Sequence, residues 1–365
     1  MTDRENLAQC TIVIPTRNRP AYLRRAVAWF ANLGMPVVVA DSSETPSLAE
    51  DERARLAAYV HRPGDFEVFV AKLAEAMEAV TTPYVALCAD DDLLLPTGLV
   101  RSITFLDRNQ DYSIAQGLFY QYQILGRRLA VWPMPFHAED LPHEDWRDRV
   151  DAMNATVFYS VQRTAVLRRS LGFLTRSPVG ALGGEGIFLA EFAMMAITAR
   201  AGKIHRTPVP FALREYSRAT RDIILCRLLV SPLVPAFFTA LLDEVAGDAA
   251  TDPETRLRLL RRFGRQVALA TRIDDSVFHS RLGRLPRAVR DHPGRLALAE
   301  YAYRWFFSKR LFVARDARGY DVIFRSEDYA RARAVLLGGC SGVAASASTA
   351  TQVPRSPTRA AISPR

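Results

Sequence analysis

Apolar positions in the first hundred residues form short continuous runs that alternate with stretches of helical spacing. Residues 10–15 and 35–40 have the length and the β-branched content of buried strands. Between them, Pro20 suits the first position of a helix, the apolar residues that follow recur on one helical face, and Gly34 suits its end. A strand, a helix and a strand within about thirty residues predict a βαβ unit and a parallel sheet.

The same alternation continues to residue 96. Residues 47–60 favour a helix, residues 59–62 a short strand and residues 67–80 a second helix. The apolar run at residues 84–88 then has the pattern of a covered parallel strand, although a short helix would show the same pattern.

Three consecutive acids, Asp90, Asp91 and Asp92, end this run. Neighbouring carboxylates raise each other's pKa, so such a cluster is stable mainly when it is exposed or neutralised by a cation. If the strands are parallel, Thr16 and Asp41 lie at the same edge of the sheet as the acids, and this is the edge where open α/β sheets bind ligands. The pattern therefore predicts a ligand site there.

The middle of the chain mixes strand and helix patterns. We expect a helix at 97–106, hairpin strands at 113–126, loops at 133–150, a strand at 155–161, a glycine loop at 180–186, a helix at 187–200 and an extended segment from 203. The predicted fold class is α/β, with a mostly parallel sheet flanked by helices.

The chain becomes helical after residue 220. Thr251 and Glu254 have the spacing of a capping box, which predicts a helix start. The residues after Gly338 are rich in Ser, Ala, Thr, Pro and Arg, a composition that predicts disorder. These changes predict a first domain at 1–220, a helical region at 221–338 and a tail at 339–365.

Charge separates these regions. Residues 1–220 carry 24 basic and 25 acidic side chains, whereas residues 221–365 carry 24 basic and 14 acidic ones. The net charge of +10 in the second part favours a surface that faces anions such as lipid headgroups, a phosphorylated acceptor or nucleic acid, although an arginine-rich solvated helical face would give the same count.

Compartment and membrane signals are few. Four cysteines lie far apart in the sequence and residues 1–10 are polar, which favours a reducing cytosol and excludes a signal peptide. Only residues 223–242 approach the length of a membrane span, and they contain Arg227 and two prolines. We interpret them as core helices, with contact at the inner face of a membrane as the alternative.

Three segments together resemble glycosyltransferase family 2, whose fold is named GT-A. They are TIVIPTRNRPAYLRRAV, VVVADSS and YVALCADDDLLLP, and the resemblance covers residues 10–215. It implies an inverting enzyme that transfers a sugar from a nucleotide-diphosphate donor, here a UDP-sugar, to a glycan or lipid-linked acceptor in surface polysaccharide synthesis.

The resemblance also implies a divalent cation, Mn²⁺ or Mg²⁺, at the acids. Asp91 matches the usual metal ligand, Asp90 supports the ion or contacts the ribose, and Asp92 orients the loop. Many relatives carry a further acid at the position of Ala89, so ligation here rests on Asp91 and its neighbours. A turn of solvated acids with Asp92 as a helix cap is the structural alternative.

Donor contacts are implied for five further positions. Pro15, Thr16 and Arg17 match the loop that frames the base and ribose, and Asp41 matches the residue that contacts the nucleobase. Asp41 is equally the type of residue that begins a turn before Ser-Ser. Lys72 is one of only three lysines and could reach the diphosphate, although solvation on a helix surface is the favoured interpretation.

The acceptor side needs a general base. The resemblance implies an acidic pair at the start of a helix that ends shortly before a Gly-Lys, and counting back from Gly202 and Lys203 leads to Ala190 and Glu191. Glu191 is therefore the candidate base and Glu185 the reserve, while an exposed helix carboxylate is the alternative for Glu191. Arg214, Arg218 and Arg221 could close over the phosphates.

Two other functions compete with this one. A sugar-phosphate nucleotidyltransferase would place a glycine-rich loop after the first strand, but the loop here is PTRNRP. A non-catalytic binder of sugar nucleotides or glycans is favoured by Ala89 and the incomplete base motif. Nucleic-acid binding rests on charge alone and is disfavoured.

Overall fold

The computed structural model describes residues 2–134, 140–152, 157–179, 184–216, 233–247, 252–262 and 320–338. Its first part alternates helices and strands. The short apolar runs form the strands, and the stretches between them, with apolar residues at helical spacing, form the helices. The elements are α1 (Asp3–Ala8), β1 (Cys10–Thr16), α2 (Pro20–Asn32), β2 (Val37–Asp41), α3 (Glu50–Arg53), β3 (Ala58–His61), α4 (Phe69–Glu78) and β4 (Tyr84–Leu87).

Strands β1 to β4 form a parallel sheet in the order β3-β2-β1-β4. Every residue of β2 and β4 is buried, as the continuous apolar runs predicted for a sheet covered on both faces. Thr16 pairs with Asp41 across β1 and β2, and Val13 pairs with Leu87 across β1 and β4. The turns after these three strands consequently meet at one edge of the sheet.

The second part of the chain extends this sheet with strands of both directions. Its elements are β5 (Leu93–Leu94), α5 (Pro96–Arg108), β6 (Tyr112–Leu125), β7 (Arg128–Pro133), α6 (Trp146–Ala152), β8 (Val161–Arg163), α7 (Thr164–Arg176), α8 (Gly184–Ala201) and β9 (Lys203–Glu215). The sheet continues from β4 through β8, β6 and β9 to β5, with β7 paired to β6. The α/β class is confirmed; the pairing is parallel in the first four strands and mixed beyond them.

Several boundaries differ from the predictions for this part. The hairpin strands expected at residues 113–126 form one strand, β6, whose hairpin partner β7 begins only at Arg128. The strand expected at residues 155–161 begins only at Val161, and the loop expected at 133–150 contains the start of α6 at Trp146. Helix α8 begins at Gly184, three residues before the predicted start, because the glycines there continue the helical backbone. Helix α7 was not predicted, although it buries Leu167 and Leu171 at helical spacing.

The described C-terminal segments are helical, as predicted. They are α9 (Leu233–Ala246), α10 (residues 253–262), a 3-10 turn (Tyr320–Arg325) and α11 (Glu327–Gly338). Phe237 and Phe238 of α9 pack edge-on against Phe173 and Phe192, with ring centroids 5.9 and 5.6 Å apart. The described half of the 223–242 stretch therefore packs one face against the core, while Pro235, Ala236 and Thr239 are exposed.

The predicted capping box and the predicted domain boundaries involve residues that the structure describes only in part. The cap of α10 is Asp252, whose carboxylate accepts from the backbone nitrogens of Glu254 and Thr255 at 3.1 and 3.2 Å. Thr251, the predicted cap, lies outside the described residues, as do the boundary near residue 220 and the tail at 339–365. Over the ranges that the structure describes, no helix combines the length and apolarity that a bilayer crossing requires.

Candidate functional site

A cleft of about 370 Å³ lies at the edge where β1, β2 and β4 end. It forms there because parallel strands direct their following turns to one side, while α8 and the end of β9 close the opposite wall. Eight of the ten predicted site residues line it, namely Pro15, Thr16, Arg17, Lys72, Asp90, Asp91, Asp92 and Glu191. Asp41 lies beneath the lining, and Glu185 is treated below.

The first two acids of the turn after β4 share one arginine. Nη1 of Arg19 lies 2.9 Å from Oδ1 of Asp90, and its Nη2 lies 2.6 Å from Oδ2 of Asp91. Asp90 also accepts a hydrogen bond of 2.6 Å from the hydroxyl of Thr16, at the end of β1. The positive group expected at this cluster is therefore present within the chain, and it is Arg19.

The third acid faces β9 instead. Asp92 accepts from the backbone N–H of Glu215 at 2.7 Å and from Nε of Arg214 at 3.3 Å. The Arg214 guanidinium lies over the Tyr159 ring at 4.1 Å. These contacts tie the acid turn to the end of β9, where β5 and β9 pair.

Burial sets the ionisation of the turn. It raises the pKa of Asp90 to about 6 against the opposing charge of Arg19. Burial likewise raises the pKa of Asp92 to about 6, and repulsion from Asp91 adds to the rise. Burial alone would lower the pKa of Arg19, but Asp90 and Asp91 raise it above its usual value, so this arginine stays charged.

Asp41 is held within its own turn. Its Oδ1 accepts from the backbone nitrogen and the hydroxyl of Ser43 at 2.8 and 2.5 Å, and its Oδ2 accepts from the Ser47 nitrogen at 2.8 Å and from the Tyr59 hydroxyl. Burial raises the pKa of Asp41, but these hydrogen bonds outweigh burial and lower it. A nucleobase contact would have to share or replace one of these bonds, and this role stays a prediction.

Lys72 is buried, which makes the solvated helix surface expected for it wrong. The amphipathic face of α4 turns this side chain inward, and its Nζ donates to the carbonyl of Thr16 at 2.8 Å and to the hydroxyl of Ser42 at 2.9 Å. Burial lowers its pKa to about 8, while Asp41 and Asp90 oppose the shift. The ammonium group thus joins the turns after β1 and β2 at the floor of the cleft.

Arg17 lies at the mouth of the cleft. Its guanidinium pairs with Asp65 at 2.5 Å, and both side chains are about half exposed. Phe66, which follows Asp65, is one of the few large apolar side chains that are exposed among the described residues. Exposed ion pairs contribute little to stability, so Arg17 can exchange Asp65 for a ligand at little cost.

Glu191 faces the cleft from the second turn of α8. Burial raises its pKa, and Arg214 opposes the rise. The exposed helix carboxylate considered as its alternative is not what the structure shows. Glu185 lies in the first turn of α8 rather than in the predicted glycine loop, and its side chain falls outside the described part of the chain.

Among the charged residues that line the cleft, the sequence analysis missed Arg19, Asp65 and Glu215. Burial raises the pKa of Glu215 to about 7, with Arg25 opposing and Asp91 adding to the shift. The Tyr22 hydroxyl donates to Glu215 at 3.3 Å. The positions of Arg19 and Glu215 in the sequence could have indicated them. Arg19 directly precedes Pro20, the first residue of α2, and Glu215 is the last residue of β9.

Metal binding at the acid turn would need help from a ligand. Carboxylate oxygens are the donors that Mg²⁺ and Mn²⁺ prefer, and the side chain of Asp91 is 14% exposed against 3% for Asp90 and 4% for Asp92. Among the described residues, however, no three His, Cys, Asp or Glu side chains converge to hold an ion. The donor chemistry fits an ion held jointly by Asp91, Asp90 and oxygens of a bound phosphate.

Residues 11–170, from β1 into α7, match the family model described as Glycosyl transferase family 2. This confirms the predicted resemblance over those residues. No curated protein matches the chain.

Solved structures of S. aureus TarS are similar to the chain at a distance. Full TarS is 14% identical over 67% of this chain and 44% of its own length, with a TM-score of 0.42. TarS 1-349 in complex with UDP is 14% identical over 67% of this chain and 72% of that one, and its complex with UDP-GlcNAc is 12% identical over 71% and 81%, both with a TM-score of 0.42. This chain therefore spans less than half of full TarS.

Proposed function

We propose that the protein transfers a sugar from a nucleotide-diphosphate donor to an acceptor hydroxyl, as the match of residues 11–170 to the model of glycosyl transferase family 2 supports. The observation that carries the proposal is the cleft, where residues from the ends of β1 and β4 face Glu191 of α8. One wall holds groups suited to a diphosphate, and the other holds a carboxylate suited to an acceptor. We further propose that the donor is a UDP-sugar and that the transfer inverts the anomeric centre.

The donor is bound by the first wall. Pro15, Thr16 and Arg17 frame the base and ribose at the mouth, and Arg17 has a charge that can pair with phosphate. Lys72 adds a positive charge at the floor, since its Nζ lies within 2.9 Å of the backbone and hydroxyl groups that border the cleft. The deeper the phosphates lie, the stronger this charge acts on them.

A divalent cation, Mn²⁺ or Mg²⁺, completes the donor site when the nucleotide is bound. Asp91 with Asp90 would hold it, and the chemistry it supplies is neutralisation of the charge that builds on the departing nucleotide. Asp92 supports the ion by orienting the turn, because its oxygens accept from Arg214 and from the backbone of Glu215.

Glu191 acts as the general base on the acceptor hydroxyl. Burial raises its pKa above the ordinary value, which makes its carboxylate a stronger proton acceptor than an exposed one. Phe158 and Tyr159 are buried beside it and keep bulk water from that side of the cleft. Glu185 is the alternative base.

The acceptor is a glycan or a lipid-linked glycan of a surface polysaccharide. The net charge of +10 in residues 221–365 supports a protein that works in the cytoplasm, at the inner face of a membrane. A non-catalytic sugar-nucleotide binder is the second candidate, and Ala89, in the cleft lining where many relatives carry an acid, is the observation in its favour.

The test is release of nucleoside diphosphate from a panel of nucleotide sugars, with Mn²⁺ and with a chelator. Thermal shift first identifies the donor, because a ligand that binds the native state raises the midpoint. Turnover with Mn²⁺ supports the proposal, and tight donor binding without turnover over a wide acceptor panel supports the non-catalytic binder instead.

The base assignment has its own test. Glu191→Gln should lower kcat by about 100-fold and leave donor binding unchanged, since a general base contributes roughly 10²–10⁴-fold. Glu185→Gln is the matched control. A Glu185→Gln loss with an active Glu191→Gln variant would move the role to Glu185.

A further inference from the structure

Arg19 occupies the place at the acid turn that a cation would take. Its two terminal nitrogens contact one oxygen each of Asp90 and Asp91, at 2.9 and 2.6 Å. A guanidinium in a protein does not lose its proton, so Arg19 keeps its positive charge beside Asp90 and Asp91 as long as its side chain stays in place.

The loop after β1 is built to hold this side chain there. Asn18 adopts a φ of +53°, the only positive φ of a non-glycine residue in the described ranges. Its backbone nitrogen donates to the Ser43 hydroxyl at 2.7 Å, and its side chain accepts from the nitrogen of Glu44 at 3.4 Å. The Arg19 guanidinium lies over the ring of Tyr22 at 4.4 Å. Left-handed backbone at residue 18 thus turns residue 19 toward the acids.

The contact is nevertheless exposed enough to break. The side chain of Arg19 is 38% exposed, and Asp91 is the most exposed of the three acids. The contact between Arg214 and Asp92 is more enclosed. The Asp92 carboxylate also accepts from the backbone N–H of Glu215, and the Tyr159 ring covers the Arg214 guanidinium. Of these two arginines, Arg19 is therefore the one that can leave without disturbing β9.

We propose that Arg19 is a displaceable counter-ion of the Asp90–Asp91 pair. It holds the pair in the donor-free protein and competes with a free divalent cation for the same oxygens. When the cation arrives with a diphosphate, Arg19 leaves the acids and pairs with phosphate oxygens. This inference rests on the proposed function, and it implies that the cation binds tightly only together with the nucleotide.

The test is binding of Mn²⁺ alone, followed by the electron paramagnetic resonance signal of the free ion. Arg19→Ala should bind Mn²⁺ about tenfold more tightly than the wild type, because one fixed positive charge beside the site is removed. Adding Asp91→Asn to Arg19→Ala should abolish the gain. With UDP present, the wild type should gain more Mn²⁺ affinity than Arg19→Ala does.

Arg24→Ala is the matched control. Arg24 lies in α2, which Arg19 directly precedes, and pairs with Glu52 at 2.6 Å, away from the cleft, so its loss removes the same charge without freeing the acid pair. Its Mn²⁺ affinity should equal that of the wild type. If Arg19→Ala unfolds, as shown by circular dichroism, Arg19→Gln replaces it with a side chain of similar length.

Unchanged Mn²⁺ affinity in folded Arg19→Ala or Arg19→Gln overturns the inference. So does a wild type that binds Mn²⁺ equally well with and without UDP. Neither result touches the proposed function, which fails separately if no nucleotide sugar is bound or turned over. The two failures are therefore distinguishable in the same set of proteins.

Discussion

The turns after β2 and β4 both begin with acids at the same edge of the sheet, yet they satisfy those acids in different ways. Asp41 is bonded by groups within its own turn and by Tyr59 of the next strand. Asp90 and Asp91 depend on Arg19, which comes from a different loop and is partly exposed. The first arrangement is local and closed, and the second is a contact between loops that can exchange partners.

The difference shows in the direction of the pKa shifts. Hydrogen bonds from neutral groups lower the pKa of Asp41, whereas burial raises that of Asp90 to about 6 despite the arginine. A carboxylate whose lone pairs already accept hydrogen bonds from its own turn gains less from a new cation. A carboxylate that burial destabilises gains from one, and this separates a structural acid from an acid that is ready to bind.

The largest difference between the two turns should appear in catalysis. Asp91→Ala should lower donor turnover by about 100-fold or more, since it removes a charge that helps to stabilise the departing nucleotide, and tenfold corresponds to about 1.4 kcal/mol of barrier. Release of UDP measures it. Asp51→Ala, an exposed acid on α3, is the control. Turnover by Asp91→Ala at the wild-type rate would remove the metal from the proposal.

Asp41 should matter most for folding. Asp41→Ala should lower the free energy of unfolding by about 3 kcal/mol, because the buried Ser43 nitrogen and the Tyr59 hydroxyl lose their acceptor and the Ser47 nitrogen keeps only the Tyr59 oxygen. Urea unfolding followed by tryptophan fluorescence measures this, with Asp51→Ala again as control. A stable Asp41→Ala variant with altered base preference among nucleotides would instead establish the predicted nucleobase contact.

Lys72 joins the two regions, so its removal tests whether they act together. Lys72→Met should weaken UDP binding about tenfold, because it removes a buried charge and its bonds to Thr16 and Ser42. Lys203→Met, which breaks a surface pair with Asp111 at 3.0 Å, is the control for loss of a lysine. Calorimetric titration with equal UDP affinity in both variants would leave Lys72 a purely structural role.

The last comparison concerns pH: Asp41 and Asp90 should change the free energy of unfolding in opposite directions as the pH falls. The folded pKa of Asp41 lies below its ordinary 3.8, so its stabilisation is present above that pH and is lost as the pH falls through the folded value. Asp90 keeps its proton up to about pH 6, so its contribution to stability grows as the pH falls from 6 toward 4.

Unfolding free energies of the wild type, Asp41→Asn and Asp90→Asn at pH 7 and 4 test these signs. The wild type should gain stability relative to Asp90→Asn on going to pH 4, and its advantage over Asp41→Asn should shrink only below pH 4. Shifts of the same sign for both variants would contradict the comparison.

Most of the parallel half of the fold could be predicted from the sequence. Strands β1, β2 and β4 are buried on both faces, which requires continuous apolar runs, and their polar ends then mark one edge. This is why Thr16 and the acid turn were found. Helix α7 was missed because arginines interrupt its apolar spacing, as at Arg168 and Arg169.

The partner of the acids could not be predicted in the same way. Arg17 and Arg19 lie two positions apart in the same polar loop, and the chain contains 45 arginines, so the sequence does not distinguish them. Which one reaches the acids depends on the positive φ of Asn18, and this in turn depends on a bond to Ser43 from another loop. The burial of Lys72 likewise depends on how α4 lies against the ends of β1 and β2.

Helix α5 is completed from far along the chain. It begins at Pro96 without a side-chain cap from its own N-terminus. Instead, the N–H of Thr97 donates at 2.8 Å to the carboxylate of Asp328, which lies 231 residues later, in the first turn of α11. During translation, the ribosome therefore finishes residues 11–170, the segment that matches the family model, long before this cap exists. A nascent chain that stops before residue 328 would carry α5 with an open N-terminus beside the strand that follows the acid turn.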